Sequence, residues 1–358
     1  MSTDSHGVGG LKFDATKRTW PPEINVFFAL ILIVAVFEAL GWLLMDNSFL
    51  FNTRENVDTF FNVARLRIII LQVSIIGIIA LGVTQVIILG GIDLSSGSIV
   101  GATAMIAMSF AQVAEVNGFP NPKGIFLEQG WVDLPVLVPL VIGVIVGLMA
   151  GAINGYLIAY TRIPPFIATL GMMVTARGVA KWWSRGNPIS FPTDSYAAIG
   201  QGMTPVFIFL ALAVLFHFIL KYTVYGKHTY AIGSNEEAAR MSGIKVDRHK
   251  VLVYTIAGIL ASIAAIVLSS KNLTAQAGMG LAYELDAIAM AVIGGVSLSG
   301  GRGSIIGTVI GALIFGVIIS GFTFLRLDAF YQEMAKGAII VGAVVLDQWR
   351  QRRTASRV

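Results

Sequence analysis

The sequence predicts an all-α, polytopic membrane protein with about ten membrane segments and both termini in the cytoplasm. Three observations predict it. Of 358 residues, 56% are hydrophobic and only 13% are charged, against about 25% charged in a soluble domain, and the deficit is spread along the whole chain. Residues 68–89, IIILQVSIIGIIALGVTQVIIL, carry no formal charge and are long enough to cross a hydrocarbon core of roughly 30 Å. Lys and Arg, finally, fall where membrane topology would put them.

The segments read in order as 24–45, 68–89, 98–116, 134–160, 164–183, 204–222, 250–271, 283–296, 303–325 and 329–348. The third, rich in Gly, Ala and Ser, belongs inside the bundle, because small residues let membrane helices approach closely. The eighth is too short for a straight crossing and reads as a broken or re-entrant helix. The second ends in Gly90-Gly91-Ile92-Asp93-Leu94-Ser95-Ser96-Gly97. Backbone of this kind cannot face lipid, where its polar groups lack partners, so it sits at an interface, in a polar cavity or against another protein. With the N-terminus inside, fifteen Lys and Arg lie in inside segments and seven in outside loops. The first 20 residues are polar, unlike a cleaved signal peptide. The organisation is thus a tail over 1–23, a transmembrane domain over 24–348 containing a cytoplasmic loop at 221–250, and a basic tail over 349–358.

Composition excludes several chemistries. The chain has no cysteine and four scattered histidines, which removes disulfides, thiol catalysis and Cys-ligated metals and argues against zinc. The net charge of +5 follows from topology rather than from a nucleic-acid partner. There is no GxxxxGK[ST] phosphate loop, and Gly300-Gly301-Arg302-Gly303-Ser304 lacks both its lysine and its spacing. No relay of carboxylates or histidines lies near the midplane; His217 stands alone in its segment. No cofactor or metal is expected on this chain, and the energy source lies on another polypeptide.

The 221–250 loop carries its own helix signals. Ser234 or Asn235 caps, Glu236 and Glu237 occupy a first turn where the dipole favours anions, Ala238 and Ala239 are strong formers, and Gly243 ends the helix. A helix this short is not stable alone. Ala238, Ala239, Met241 and Ile244 give it an apolar side suited to a partner's groove.

Glu237-Ala238-Ala239 followed by Gly243 resembles the EAA-type coupling loop of bacterial ABC importer permeases. Gly233-Ser234-Asn235 and Ser242-Gly243-Ile244 are similar to the form found in the ribose/galactoside (monosaccharide) permease family. So are Gly91-Ile92-Asp93-Leu94-Ser95, the PFIATLG string at 165–171, YELDAIA at 283–289 and GGVSLSGGRGSIIGT at 294–308, in family order from the second segment to the tenth. The resemblance implies an inner-membrane permease working as a homodimer. Its partners would be a cytoplasmic ATPase that binds ATP and Mg, and a periplasmic sugar-binding protein. It also implies that Asn235, Glu236, Glu237, Ala238, Ala239, Arg240, Ser242 and Gly243 form the ATPase-coupling element. Ribose, xylose, galactose and inositol permeases share these blocks, so the cargo stays open within monosaccharides and cyclic polyols. A self-contained secondary transporter or channel is the alternative. A membrane enzyme on a lipid-linked substrate would need more inside-loop aspartates than Asp93 and Asp247.

Gly90, Gly91, Leu94, Ser95 and Gly97 recur 204 positions later as Gly294, Gly295, Leu298, Ser299 and Gly301, an echo expected of two related half-bundles. Asp93, Ser95, Asn154, Phe166, Thr169, Asp286, Ser297 and Ser299 are the candidate path or gate residues. Within that set, Asp93 reads as a helix cap and Asn154, between two glycines, as a link between helices. Asp286 lies at an outer helix end, partly in water, and Glu333 and Lys336, three apart, form an ion pair. Outer loops 46–67, 184–203 and 271–282 present mixed charge, including Arg54, Arg65, Arg67, Arg185 and Lys271, to a docking partner.

Overall fold

The computed structural model describes residues 22–51 and 61–355. The elements run α1 (Pro22–Met45), α2 (Val63–Ile88), α3 (Ser96–Phe110), β1 (Glu115–Val116), β2 (Phe119–Pro120), α4 (Leu137–Tyr160), α5 (Pro165–Trp183), β3 (Ile189–Ser190) and α6 (Asp194–Gly200). There follow α7 (Thr204–Tyr222), α8 (Val224–Ser234), α9 (Glu236–Met241), α10 (Val246–Asn272), β4 (Thr274–Ala275), α11 (Tyr283–Ile293), α12 (Ile305–Phe324) and α13 (Ala329–Ala355). Six of these helices, α1, α2, α4, α7, α10 and α12, are long and apolar enough to cross a membrane. The remaining segments of the ten expected are α5 and α13, long but more polar, and α3 and α11, which are short.

A helix apolar all round must be surrounded by protein or lipid. For α2 it is protein: α7, α10, α11 and α12 pack on it, and it is buried almost continuously from Val73 to Ile88. The third segment is likewise internal, with nearly all of α3 buried, but its helix ends at Phe110 and the chain then forms the β1–β2 hairpin, so it is shorter than the 98–116 expected. Apolar residues on α1, α4, α5 and α7 stay exposed, among them Leu32, Leu43, Val141, Ile167, Val174 and Phe218, as lipid-facing or partner-facing helices require.

The α4–α10 contact shows how glycine builds the core. Gly143, Gly147, Gly151 and Gly155 line one face of α4 at intervals of four. A Cβ on Gly151 would overlap Tyr254 O, one on Gly147 would overlap Gly258 O, and one on Gly155 would come within 2.6 Å of Val251 Cα. The two backbones touch directly, as small-xxx-small packing demands.

The segments alternate between two ends. One end gathers Glu23, the turn at Gly90, Arg162, α8, α9 and the turn at 296–303: Ser304 Oγ donates to Glu23 Oε1 at 2.8 Å, and Gly301 N donates to Ile88 O at 2.8 Å. The other end gathers Gln112, Lys123 and Ser190, together with the β3–β4 pair, in which Ile189 faces Ala275 and Ser190 faces Thr274.

Three expectations are corrected here. Lys336 does not pair with Glu333; its Nζ lies 3.2 Å from Asp286 Oδ2 on α11. The buried carboxylate needs a counter-charge, whereas Glu333 is exposed. Asp286 accordingly sits in the core rather than partly in water. Arg65 is not a free docking charge: its guanidinium donates to Phe49 O at 3.0 Å and stacks 4.2 Å from the Phe324 ring centroid. Arg54 falls outside the described residues.

Gly151→Leu should lower folding stability by about 1–3 kcal/mol or more, because the helix backbones cannot separate freely. Gly171→Ala, where a Cβ meets nothing within 4 Å, should not lower it and should raise it by up to about 1 kcal/mol, since alanine favours the helix. Thermal unfolding in detergent distinguishes the two.

Candidate functional site

The helix expected in the 221–250 loop forms, but not alone. Val224–Ser234 is a second helix, α8, and α10 begins already at Val246. Asn235 Oδ1 accepts from Ala238 N at 2.9 Å and caps α9. At the far end Gly243, with φ +83°, donates to Arg240 O while Ile244 N donates to Ala239 O, a Schellman stop that suits glycine. Arg240 makes a bidentate pair with Asp247 at 2.8 and 2.9 Å and reaches Glu236 at 3.3 Å, and Lys250 holds Glu236 from the other side at 2.7 Å. Burial pulls the Glu236 pKa upward, but Lys250 and Arg240 outweigh it and hold the carboxyl below its ordinary range. The network thus stays charged above the ordinary glutamate value and is lost only as pH falls through the lowered one. Ala239 is buried against its own subunit, packed with Val246, Val253 and Ile232. The apolar side therefore splits: Ala239 and Ile244 face inward, while Met241 is 89% exposed and Ala238 is exposed beside it. Between α9 and the α4–α5 turn lies a cleft of about 670 Å³, lined by Gly90, Arg162, Pro164, Glu237, Arg240 and Tyr254.

α8 ties this element to the two glycine turns. Gly90 N donates to Ile87 O and Gly91 N to Val86 O; Gly295 N donates to Val292 O and Val296 N to Ala291 O. Both turns are Schellman stops, with φ of +89° at Gly90 and +90° at Gly295. The echo is thus structural at the ends of α2 and α11, displaced by one residue from the sequence match. It does not extend to the helices that follow: Ser304 caps α12 through Gly307 N, but Ser95 makes no side-chain cap on α3. Gly233 lies between the turns. A Cβ there would overlap Ile88 O and come within 2.7 Å of Gly301 N, and one on Gly300 would come within 2.7 Å of Gly233 O. Tyr225 and Tyr230 of α8 add hydrogen bonds to Gln85 and to Gly303 O, at 2.7 and 2.8 Å.

The candidate path residues fall into four places. Asp93, Ser95, Asn154 and Thr169 converge on the start of α3. Asp93 Oδ1 accepts from Ser95 N and Oγ at 2.8 and 2.6 Å, Asn154 Nδ2 donates to Ser95 Oγ at 2.8 Å, and Thr169 Oγ1 lies 3.3 Å from Ile92 O. Of the Ser95–Ser98 stretch expected to be capped, Asp93 takes the Ser95 amide, closing an Asx turn ahead of α3. Asn154 links α4 to α3, as expected. Asp286 stands apart with Lys336, and Phe166 is on the exposed face of α5. Ser297 and Ser299 belong to the turn against α8, where Ser297 is buried and Ser299 exposed. Among the described residues no three His, Asp or Glu side chains gather into a metal set.

Comparison with known proteins places this architecture. The family described as "Branched-chain amino acid transport system / permease component" matches residues 65–344. The chain belongs to this permease family. Ribose import permease protein RbsC of Bacillus subtilis (strain 168) is 45% identical over 290 residues, covering 77% of this chain and 82% of that one. RbsC of Escherichia coli (strain K12) is 34% identical over 343 residues, 93% and 96% of the two chains. The galactose/methyl galactoside import permease protein MglC of Haemophilus influenzae is 36% identical over 301 residues, 81% and 88%. No solved structure matches. The protein is an ABC-type import permease and a multi-pass membrane protein, as the sequence resemblance implied.

Four features of the permease escaped sequence reasoning. α8 carries no strong cap or periodic signal, Lys250 reads as an ordinary loop charge, and Arg177 and Glu284 are brought to either side of Gly97 only in three dimensions. The Asp286–Lys336 pair was missed for the same reason. Lys336→Met should leave a buried carboxylate alone and destabilise the permease by about 1–3 kcal/mol, less than a fully buried pair because the Lys336 side chain is 29% exposed. Asp286→Asn combined with Lys336→Met should recover most of that loss in a double-mutant cycle of thermal stability.

Proposed function

We propose that the permease imports a monosaccharide or cyclic polyol of the ribose, xylose, galactose or inositol type. It works as a homodimer, in ten membrane segments with both termini cytoplasmic, fed by a periplasmic sugar-binding protein and driven by a separate cytoplasmic ATPase that carries the ATP and Mg. The names of the relatives support the cargo class, since RbsC and MglC are ribose and galactose import permeases. The observation that carries the coupling role is α9: a capped helix locked by Arg240 and Lys250 to α10, with Met241 and Ala238 left on its exposed side. A helix held rigidly below while its outer side stays apolar fits a partner groove.

The passage is assigned to the exposed face of α5, where Phe166, Val174 and Thr175 are uncovered and Gly171 and Gly178 have open space. Asp93, Ser95, Asn154 and Thr169, buried inside the subunit, then brace its wall. Weak polarity along α5 suits cargo that must enter and leave quickly. At the other end of the bundle, the exposed Arg67 and Arg185 remain as docking charges for the binding protein, while Arg65 has a structural role.

Met241→Glu should leave the permease folded, since the side chain touches little, yet lower ATPase co-purification and ATP-driven sugar uptake in proteoliposomes about tenfold or more, a loss typical of an interface anchor. Gly243→Val, which strains the left-handed stop, should do the same. Undiminished ATPase binding and uptake in both variants would contradict the coupling role. Ala239→Glu is no test of docking, because Ala239 is buried within the subunit.

A further inference from the structure

Segment 276–282 does not stay at the end of the bundle where α10 delivers it. It runs back along α3: Met279 O lies 3.0 Å from the Cβ position of Gly101, and Gly280 O lies against Gly97. Only then does α11 start, with eleven residues before the turn at Gly294. α3 and α11 are therefore half-length helices of opposite direction whose first turns meet around Gly97. Non-helical backbone at such a depth is tolerated only where protein satisfies it.

Arg177 of α5 supplies that satisfaction. Its Nη1 donates to Ala277 O at 2.6 Å and to Met279 O at 2.8 Å, and its Nη2 lies 3.4 Å from Gly97 O. Glu284, in the first turn of α11, approaches Gly97 as well: a Cβ there would overlap its Oε2. That oxygen is buried and has no hydrogen-bond partner. A half-buried guanidinium and a buried carboxyl group thus flank one residue without a hydrogen bond between them. A buried charge lacking its counter-ion is costly, and so is an unsatisfied carboxylate oxygen. Costs of this kind cluster at switch regions, where bistability is part of the mechanism. Two glycines of α3 make room for the two groups: a Cβ on Gly97 would overlap Glu284 Oε2, and one on Gly101 would come within 2.7 Å of Arg177 Nη1.

We infer that Arg177 is a positioning residue for translocation: its guanidinium latches segment 276–282 onto α3, and Glu284 is the partner it takes when that segment leaves. The exchange replaces carbonyl bonds to the segment with a bidentate carboxylate pair, so releasing the segment costs little net energy. Gln276, Gly278, Leu281 and Ala282 are exposed on the side away from α3, next to the α5 face assigned to the passage. Movement of the segment would thus change the width of that passage. The inference rests on the permease reading for its role, but the latch itself does not.

The chain has no cysteine, so Ala277→Cys provides a single reporter under the latch. Labelling by a membrane-impermeant maleimide is measured in proteoliposomes, first at rest and then with ATPase, binding protein, sugar and ATP. At rest, Arg177→Gln should raise the labelling rate about tenfold, as loss of charge-assisted bonds shifts opening. Arg177→Lys, which keeps the charge and loses the planar fork, should give a smaller rise. During turnover the reporter should label faster than at rest, and Glu284→Gln should remove that increase. An unchanged resting rate in both Arg177 variants would overturn the latch. A turnover increase that survives Glu284→Gln, or no increase at all in a transporting complex, would overturn the exchange. Resting rates are read without sugar, so a wrong cargo or missing transport is distinguishable from a failed latch.

Discussion

The structure depends on one place where three stretches of backbone come within touching distance. Gly301 N–H donates to Ile88 O directly beside Gly233, and Gly233 can lie there only because it has no side chain. This hydrogen bond satisfies a carbonyl at the end of α2 that the helix itself cannot. It also binds the turn after α11 to the turn after α2, with the end of α8 clamped between them. Since Asn235 begins the α9 cap two residues later, α9 and the ends of two core helices form one mechanical unit. Close-packed interiors transmit displacement rather than absorb it.

The same economy of side chains shapes the bundle. The glycine face of α4 brings α10 into backbone contact, and α2 and α3 are enclosed by their neighbours. Polar groups inside this packing need partners, because hydrocarbon supplies none. Most find them: Asn154 joins α4 to α3, Thr84 and Thr308 share a bond of 2.7 Å between α2 and α12, and Asp286 holds Lys336. Among the described residues Ser96, Thr103, Asn154, Tyr254 and Glu284 keep a buried oxygen unpartnered, on or against α3 and the backbone leading into it. Part of this set, Ser96 and Glu284, lies where the two half-length helices meet.

What was legible in the sequence was local. Asn235, Glu236 and Gly243 announce α9, since capping and stopping are decided within a few residues. The charge deficit and the uncharged run at 68–89 announce the membrane, and the brevity of 283–296 announces a broken helix. Partnerships across the bundle were not legible. Spacing joined Lys336 to Glu333, but burial of Asp286 decided the pair. Ala239 looked available for docking, because its sequence neighbours do not reveal that Val253 and Val246 cover it. Arg65 read as a docking charge until the Phe324 ring beneath it appeared. α8 was hidden because its helix is held from outside, by Gln85, Ile88 and Gly303, rather than by its own propensities.

The central claim is that motion at α9 reaches the core helices through Gly233. The most direct measurement is the number of ATP molecules hydrolysed per sugar imported by the reconstituted transporter carrying Gly233→Ala. The added methyl must separate Ile88 O from Gly301 N while leaving the exposed side of α9 unchanged. The account predicts that ATPase binding persists and that the ratio rises several-fold above the unsubstituted permease, because hydrolysis no longer moves both turns together. An unchanged ratio in a folded Gly233→Ala permease would contradict it.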